Sequence, residues 1–191
     1  MTTRNKAKGI KQDLAEAPEK IFSTALAYLS RREYSQQELC NKLRARGAAA
    51  QPLAEALERL KRLGYLDELR YAQAFVRSRR DYSPRGRRLI ARELADKGVD
   101  AALIEQALDE EYGEQQELAA LQTLIARQLS RGGAALVGDG ADDDADNDGG
   151  GMDEGARQYR QRQKLLARLQ RKGFSYALIR QALQNILSDN E

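Results

Sequence analysis

Histidine is absent from this 191-residue sequence, and cysteine occurs only once, at Cys40. Without histidine, the usual protein sites for zinc and copper cannot be assembled, and a histidine general base is excluded. A single cysteine cannot form a disulfide within the chain. The sequence also lacks the GxxxxGK[ST] and GxGxxG phosphate-binding motifs. These absences predict a protein that holds no metal or cofactor and is not an enzyme.

Long apolar segments are also missing. No apolar run reaches the roughly 18 residues that a membrane-spanning helix requires. The polar start, residues 1–20, lacks the apolar stretch of a secretory signal. We therefore expect a cytoplasmic protein that has no membrane partner.

Charge is unevenly distributed along the chain. The formal net charge is +3, but residues 132–155 contain eight acidic residues and no basic one. The remainder therefore has 32 basic residues against 21 acidic ones, an excess of 11 positive charges. Such an excess favours polyanionic partners, either nucleic acid or an acidic protein surface.

Alignment of the sequence with itself reveals a repeat. One set of residues recurs 51 positions later: Leu39, Leu43, Gly47, Leu53, Ala56 and Leu57 become Ile90, Leu94, Gly98, Ile104, Ala107 and Leu108. The second set recurs after a further 75 positions, and removal of the 24 residues 132–155 restores the spacing of 51. The sequence therefore predicts three repeats, with residues 132–155 as an insert in the third.

Local signals predict helices and no strand. Ser35 begins a capping box, and Gly47 supplies a left-handed stop at the end of the same helix. Further N-caps are predicted at Asp67, Ser83, Asp100 and Ser175, with Pro84 at the first helical position after Ser83. The predicted helices lie at about 21–32, 35–46, 52–63, 67–80, 83–97, 100–111, 114–130, 157–172 and 175–188.

The predicted fold class is all-α, with three tandem three-helix repeats that form an elongated, curved, solenoid-like body. Each repeat is too small to bury its own apolar stripe, so neighbouring repeats are expected to share hydrophobic faces. The predicted organisation is a flexible basic N-terminus at 1–20, followed by repeats at 21–64, 65–112 and 113–188. The glycine-rich acidic insert, 132–155, is expected to be disordered.

Two predicted helices place basic residues on one face. In the helix 83–97, three arginines fall within an arc of about 60°, opposite Ile90 and Leu94. In the helix 157–172, five basic residues fall within about 80°, opposite Leu165 and Leu169. The candidate residues for binding a polyanion are Arg77, Arg79, Arg80, Arg85, Arg88, Arg92, Arg157, Arg160, Lys164, Arg168 and Arg171.

A simpler interpretation is that these basic faces are only solvated, because surface helices often carry lysine and arginine. Residues 77–92 include seven arginines and only Asp81 as an acidic residue, which favours binding. Tyr82, among these arginines, is a candidate for stacking on a base. Packing at the helix boundary is the favoured interpretation of this tyrosine.

The acidic insert has part of a calcium-binding pattern. Asp144, Asp146, Asp148 and Gly149 match the start of an EF-hand loop, but Gly155 stands where the loop needs a bidentate carboxylate. Calcium binding is therefore not expected, and a charged spacer is the favoured interpretation. An alternative is that the insert competes with nucleic acid for the basic faces, as an intramolecular polyanion.

A series of short motifs resembles the RecX family. The series begins with Tyr34-Ser35-Gln36-Gln37-Glu38-Leu39 and continues with Leu63-Gly64-Tyr65-Leu66-Asp67 and Arg70-Tyr71-Ala72. It ends with Lys97-Gly98-Val99 and Lys172-Gly173-Phe174-Ser175, and covers residues 20–188 apart from the insert. Two departures are the insert itself and Gly86, which follows Pro84 where the family usually places glycine before proline.

The resemblance implies an all-helical, non-enzymatic protein of three three-helix repeats that acts in DNA repair, homologous recombination and the SOS response. Such proteins bind the filament of the RecA recombinase and inhibit its recombination, ATPase and coprotease activities. The expected partners are the RecA filament and single- or double-stranded DNA, with no cofactor, and the chain is expected to be a monomer. A stand-alone helical DNA-binding protein and a general interaction scaffold remain as alternatives.

Overall fold

The structure is a computed structural model, and it describes residues 17–130 and 154–188. This part of the chain contains nine α-helices and no strand. The helices are α1 (Pro18–Leu29), α2 (Gln36–Ala45), α3 (Ala50–Arg62), α4 (Glu68–Tyr82), α5 (Arg87–Ala95), α6 (Ala101–Glu111), α7 (Glu114–Ser130), α8 (Glu154–Arg171) and α9 (Tyr176–Ser188). The predicted all-α class is confirmed for these residues.

At four helix starts, a polar side chain accepts a hydrogen bond from a backbone N–H group, as the sequence predicts. The donor nitrogen and the acceptor oxygen are 3.1 Å apart for Glu38 and Ser35, 3.0 Å for Arg70 and Asp67, 2.9 Å for Ala102 and Asp100, and 3.2 Å for Leu178 and Ser175. Each bond provides a partner for one of the N–H groups that the start of a helix leaves without an intrahelical acceptor.

Three glycines at equivalent positions of the repeat end their helices in the same way. Gly47, Gly98 and Gly173 have φ angles of 92°, 77° and 90°. In each case the residue after the glycine donates its N–H to the carbonyl of the leucine four residues before the glycine, at 3.1, 3.2 and 3.3 Å. Glycine adopts this left-handed conformation without steric cost, so the repeat seen in the sequence is also a repeat of backbone geometry.

The starts of α1 and α5 differ from the prediction for structural reasons. Helix α1 begins at Pro18, inside the segment predicted to be flexible, because proline fits the first turn of a helix, where no intrahelical N–H bond is lost. The helix predicted from Ser83 begins instead at Arg87, so Pro84 is not its first residue. The N–H of Gly86 donates to the carbonyl of Lys172 at 2.8 Å, which holds the chain before α5 in a non-helical path.

The chain divides into two compact units. One consists of the described residues of Met1–Arg77 and Ala91–Glu111, and the other consists of those of Ser78–Ile90 and Tyr112–Glu191. In the first unit, α1, α2 and α3 pack their apolar faces together, and the buried side chains include Ile21, Ala25, Leu39, Leu43, Leu53, Leu57 and Leu60. In the second unit, α7, α8 and α9 do the same with Leu121, Ile125, Leu165, Leu169, Ile179 and Ala182.

The acidic insert lies almost entirely outside the described residues. Only its last two residues, Glu154 and Gly155, are described, and they are the first residues of α8. The expected disorder is therefore wrong for these two positions and stays a prediction for the rest. The predicted repeat boundaries also stay a prediction.

Candidate polyanion-binding surfaces

Helix α5 has arginine on one face and apolar residues on the other. Arg88 and Arg92 are exposed, whereas Ile90 and Leu94 are fully buried. Neither of these two arginines forms an ion pair with a residue that the structure describes. The predicted place of Arg85 on the same helical face is wrong, because Arg85 is half-buried and precedes the helix.

The candidate residues Arg77 and Arg80 have carboxylate partners within the described part of the chain. The Arg77 guanidinium is paired with the Glu111 carboxylate, and Arg80 Nε lies 2.7 Å from Asp81 Oδ1. A polyanion that binds either arginine has to compete with its internal partner. We therefore expect both to contribute less to binding than an exposed arginine on α5.

Arg79 and Arg85 lie within electrostatic reach of each other. Burial lowers the pKa of the Arg85 guanidinium, and the positive charge of Arg79 lowers that pKa further. Tyr82, between them in the sequence, is 88% exposed, more than any other large hydrophobic side chain in the described ranges. The interpretation of Tyr82 as a packing residue at the helix boundary is therefore wrong.

Helix α8 presents the second basic face. Arg160, Lys164 and Arg171 are exposed, whereas Leu165 and Leu169 are buried, so this helix has the amphipathic orientation that the sequence predicts. None of the three exposed cations forms an ion pair within residues 17–130 and 154–188. The other two candidates differ: Arg168 is half-buried, and the Arg157 side chain lies outside the described residues.

A cluster of cations around two tyrosines was not predicted from the sequence. The Tyr28 and Tyr34 rings meet edge to face, with their centroids 6.0 Å apart. The Arg32 guanidinium carbon lies 3.7 Å from the Tyr34 centroid, while Lys42 Nζ lies 5.3 Å from that of Tyr28 and 5.6 Å from that of Tyr34. Arg46 adds a contact with Tyr28 at 5.1 Å. The residues come from α1, α2, the loop between them and the position just after α2, so no sequence spacing reveals the cluster.

Glu117 takes the role at the start of α5 that the sequence assigned to Ser83. Its carboxylate accepts the backbone N–H of Arg87 at 2.8 Å, and Arg87 Nη1 donates to the Tyr112 carbonyl at 3.0 Å. Burial raises the pKa of the Glu117 carboxyl against the opposing effect of Arg87, and the Glu114 carboxylate raises it further. The buried carboxylate therefore has a structural function as a helix cap.

A groove of about 330 Å³ opens beside Glu117, at the starts of α7 and α9. Its lining residues include Glu114 and Ser175 and offer no cation to bind a substrate anion. Ser175 already accepts the N–H of Leu178 as a helix cap.

Residues 17–130 and 154–188 show neither a cluster of metal ligands nor a helix suited to crossing a membrane. These ranges contain no group of three or more histidine, cysteine, aspartate or glutamate side chains placed to hold a metal ion. None of the helices in these ranges combines the length and the apolar character needed to cross a membrane.

The described residues define a helical-repeat protein with exposed cationic helix faces. Residues 22–60 match the family model described as "RecX, first three-helix domain", and residues 67–108 match "RecX, second three-helix domain". The chain is 30% identical over 200 residues to Regulatory protein RecX of Geobacillus thermodenitrificans (strain NG80-2), across 86% of this chain and 74% of that protein. The chain belongs to the RecX family.

Two further comparisons agree with this membership. Regulatory protein RecX of Prosthecochloris aestuarii (strain DSM 271 / SK 413) is 33% identical over 171 residues, across 89% of this chain and 95% of that protein. The crystal structure of RecX from Lactobacillus salivarius superposes with a TM-score of 0.69 at 24% identity, across 88% of this chain and 95% of that chain. The superposition establishes the helical-repeat fold, and the family models and relatives establish the family.

Proposed function

We propose that this protein regulates the RecA recombinase, by binding the RecA filament and inhibiting its recombination, ATPase and coprotease activities. The observation that carries the proposal is the membership of the RecX family, because relatives named Regulatory protein RecX align with most of the chain. The protein acts by binding and has no catalytic activity of its own.

The exposed cations of α5 and α8 supply the binding chemistry. Guanidinium groups form charge-assisted hydrogen bonds with carboxylates and phosphates, so they suit both the acidic residues of a protein filament and the DNA bound in it. Arg88 and Arg92 on α5 and Arg160, Lys164 and Arg171 on α8 carry this role, since they are exposed. Several modest contacts made by one chain add up to a higher overall affinity.

The direct test is ATP hydrolysis by RecA on single-stranded DNA while this protein is titrated in. Hydrolysis is expected to fall at fewer than one molecule of this protein per RecA, because one bound molecule affects a filament of many protomers. Unchanged hydrolysis at one molecule per RecA would overturn the proposed function.

A charge-reversal variant identifies the contact surface. The double variant Arg160→Glu/Lys164→Glu is expected to lose inhibition, since it replaces two exposed cations of α8 with anions. The matched control is Lys61→Glu/Arg62→Glu, which makes the same change in net charge on exposed residues of α3. Equal loss in the two variants means that total charge matters and that the α8 face does not.

A stand-alone DNA-binding protein is the second candidate function, favoured by the exposed cations and by the exposed ring of Tyr82. Salt dependence separates the two candidates. Binding to phosphates weakens steeply as salt rises, because each phosphate contact releases condensed counterions. Tight binding to DNA without inhibition of RecA favours the second candidate.

A further inference from the structure

Tyr82 has the surroundings expected of a residue that stacks on a ligand. Tyrosine usually buries most of its ring, which is a large apolar surface. Yet Tyr82 is 88% exposed, whereas the other exposed tyrosines, Tyr159, Tyr176 and Tyr65, are 65%, 58% and 49% exposed. Both faces of the Tyr82 ring are therefore open to a planar partner.

The backbone that carries this ring is held in place on both sides. Tyr82 is the last residue of α4, so the helix holds its backbone from the N-terminal side. On the C-terminal side, buried Gly86 donates its N–H to the Lys172 carbonyl at 2.8 Å. An added Cβ at Gly86 would collide with the backbone of Gly173, which shows how closely this segment is packed. The ring thus projects from a backbone that is held in place.

Arginines flank Tyr82 along the chain. Arg79 is three residues before Tyr82 on the same helix, so their side chains are neighbours on its surface. Arg85 follows three residues after Tyr82, and its guanidinium senses the charge of Arg79. Arg88 adds an exposed cation at the start of α5. An open aromatic face among cations is the combination with which proteins bind single-stranded nucleic acid: the cations attract the phosphates, and a base stacks on the ring.

We propose that Tyr82 stacks on an unpaired nucleobase, and that this contact makes the segment Ser78–Ile90 prefer single-stranded to double-stranded nucleic acid. In a duplex, each base is already stacked on its neighbours and paired, so only its edges are accessible. In a single strand, a base turns out of its stack at little cost and covers the ring. Arginine contacts with phosphates by themselves favour the more densely charged duplex, so a preference for the single strand has to come from the tyrosine. The proposal rests on the basic surfaces that the proposed function uses.

The experiment measures binding of the full chain, without RecA, to a fluorescent single-stranded oligonucleotide of mixed sequence and to its duplex, by anisotropy. Tyr82→Ala is expected to weaken binding to the single strand about tenfold, the effect of one lost base-stacking contact. Binding to the duplex, and the slope of affinity against salt, should stay unchanged, because the phosphate contacts remain. Tyr82→Phe keeps the ring and should bind as the natural protein does.

Two further variants complete the test. Tyr65→Ala removes another exposed tyrosine, outside the segment, and should leave both affinities unchanged. Tyr82→Trp introduces the only tryptophan of the chain. Its fluorescence should be quenched by the single strand and not by the duplex.

Three results would overturn the proposal: Tyr82→Ala binds the single strand as tightly as the natural protein, it loses affinity for both forms equally, or the tryptophan is not quenched. Absence of any nucleic-acid binding by the natural protein would also overturn it. Inhibition of RecA is measured separately, so the proposed function can stand or fall independently of this result.

Discussion

Ser35 Oγ donates a hydrogen bond to the carbonyl oxygen of Lys97 at 2.8 Å, from a fully buried position. The equivalent bond in the other unit runs from the N–H of Gly86, 51 positions after Ser35, to the carbonyl of Lys172, 75 positions after Lys97, also at 2.8 Å. Residues related by the sequence repeat therefore make equivalent hydrogen bonds. In each unit, the residue at or next to a helix start is joined to the residue that precedes a left-handed glycine.

The first prediction concerns the two roles of Ser35. Its hydroxyl donates to Lys97 and also accepts the N–H of Glu38. Ser35→Ala removes both bonds and leaves buried backbone groups without partners, so we expect the free energy of unfolding to fall by about 2–3 kcal/mol. Ser175→Ala, which removes a helix cap alone, is expected to cost about 1 kcal/mol. Urea unfolding measures both, and equal losses would mean that the bond to Lys97 contributes nothing.

The second prediction separates backbone conformation from close packing at the glycines. Gly64 and Gly173 both have positive φ, at 73° and 90°. A Cβ at Gly64 would meet no atom within 4 Å, whereas a Cβ at Gly173 would lie 2.6 Å from Leu89 N.

Gly64→Ala is therefore expected to reduce the free energy of unfolding by about 1 kcal/mol, from the left-handed conformation alone. Gly173→Ala should cost at least about 3 kcal/mol, because the backbone of α5 at Leu89 also has to move. Thermal and urea unfolding give the comparison. Similar losses for the two variants would show that the contact with Leu89 is easily relieved.

The third prediction concerns the pH dependence of folding stability that arises from Glu38. Burial raises the pKa of this carboxyl, but the hydrogen bond and charge of Lys97, at 2.6 Å, together with Arg32, lower it to a net value below 4.5. Because the pKa is lower in the folded state, the ionised form contributes stability above pH 4.5, and this contribution is lost as the pH falls through the folded-state pKa. Glu38→Gln should lose about 1 kcal/mol at neutral pH and unfold like the natural protein in acid. A loss that persists in acid would mean that the ion pair is not its source.

The fourth prediction concerns Glu117, whose contribution to folding stability changes with pH in the opposite direction. Burial raises the pKa of its carboxyl above 4.5 in the folded protein. The stability associated with the protonated form is therefore complete below pH 4.5 and is lost as the pH rises through the folded-state pKa. Glu117→Gln keeps an oxygen acceptor for the Arg87 N–H and carries no buried charge. The variant should be at least as stable as the natural protein at neutral pH.

Glu117→Ala is the control for that variant, because it leaves the Arg87 N–H without its acceptor. We expect it to cost about 1–3 kcal/mol at every pH. Urea midpoints measured on both sides of pH 4.5 test the sign. A clear loss of stability in Glu117→Gln at neutral pH would show that the carboxylate charge is needed for the cap.

The sequence alone determined the helical class, the repeat and most of the helix boundaries, because these depend on local interactions. Apolar spacing, the caps at Ser35, Asp67 and Ser175, and the glycine stops act within a few residues of the chain. For the same reason, the outward orientation of Arg88 and Lys164 followed from helical periodicity.

Only the tertiary structure decided the features that join distant residues. Ser83 has the side chain of an N-cap, but Gly86 bonds to Lys172, and Glu117 caps α5 from another helix. The pairing of Arg77 with Glu111 likewise has no signal in the sequence. The sequence makes Tyr82 a candidate for stacking, but only the structure shows that its ring is exposed. These contacts depend on which helices lie side by side, and that choice is made by the burial of apolar faces over the whole unit rather than by local preference.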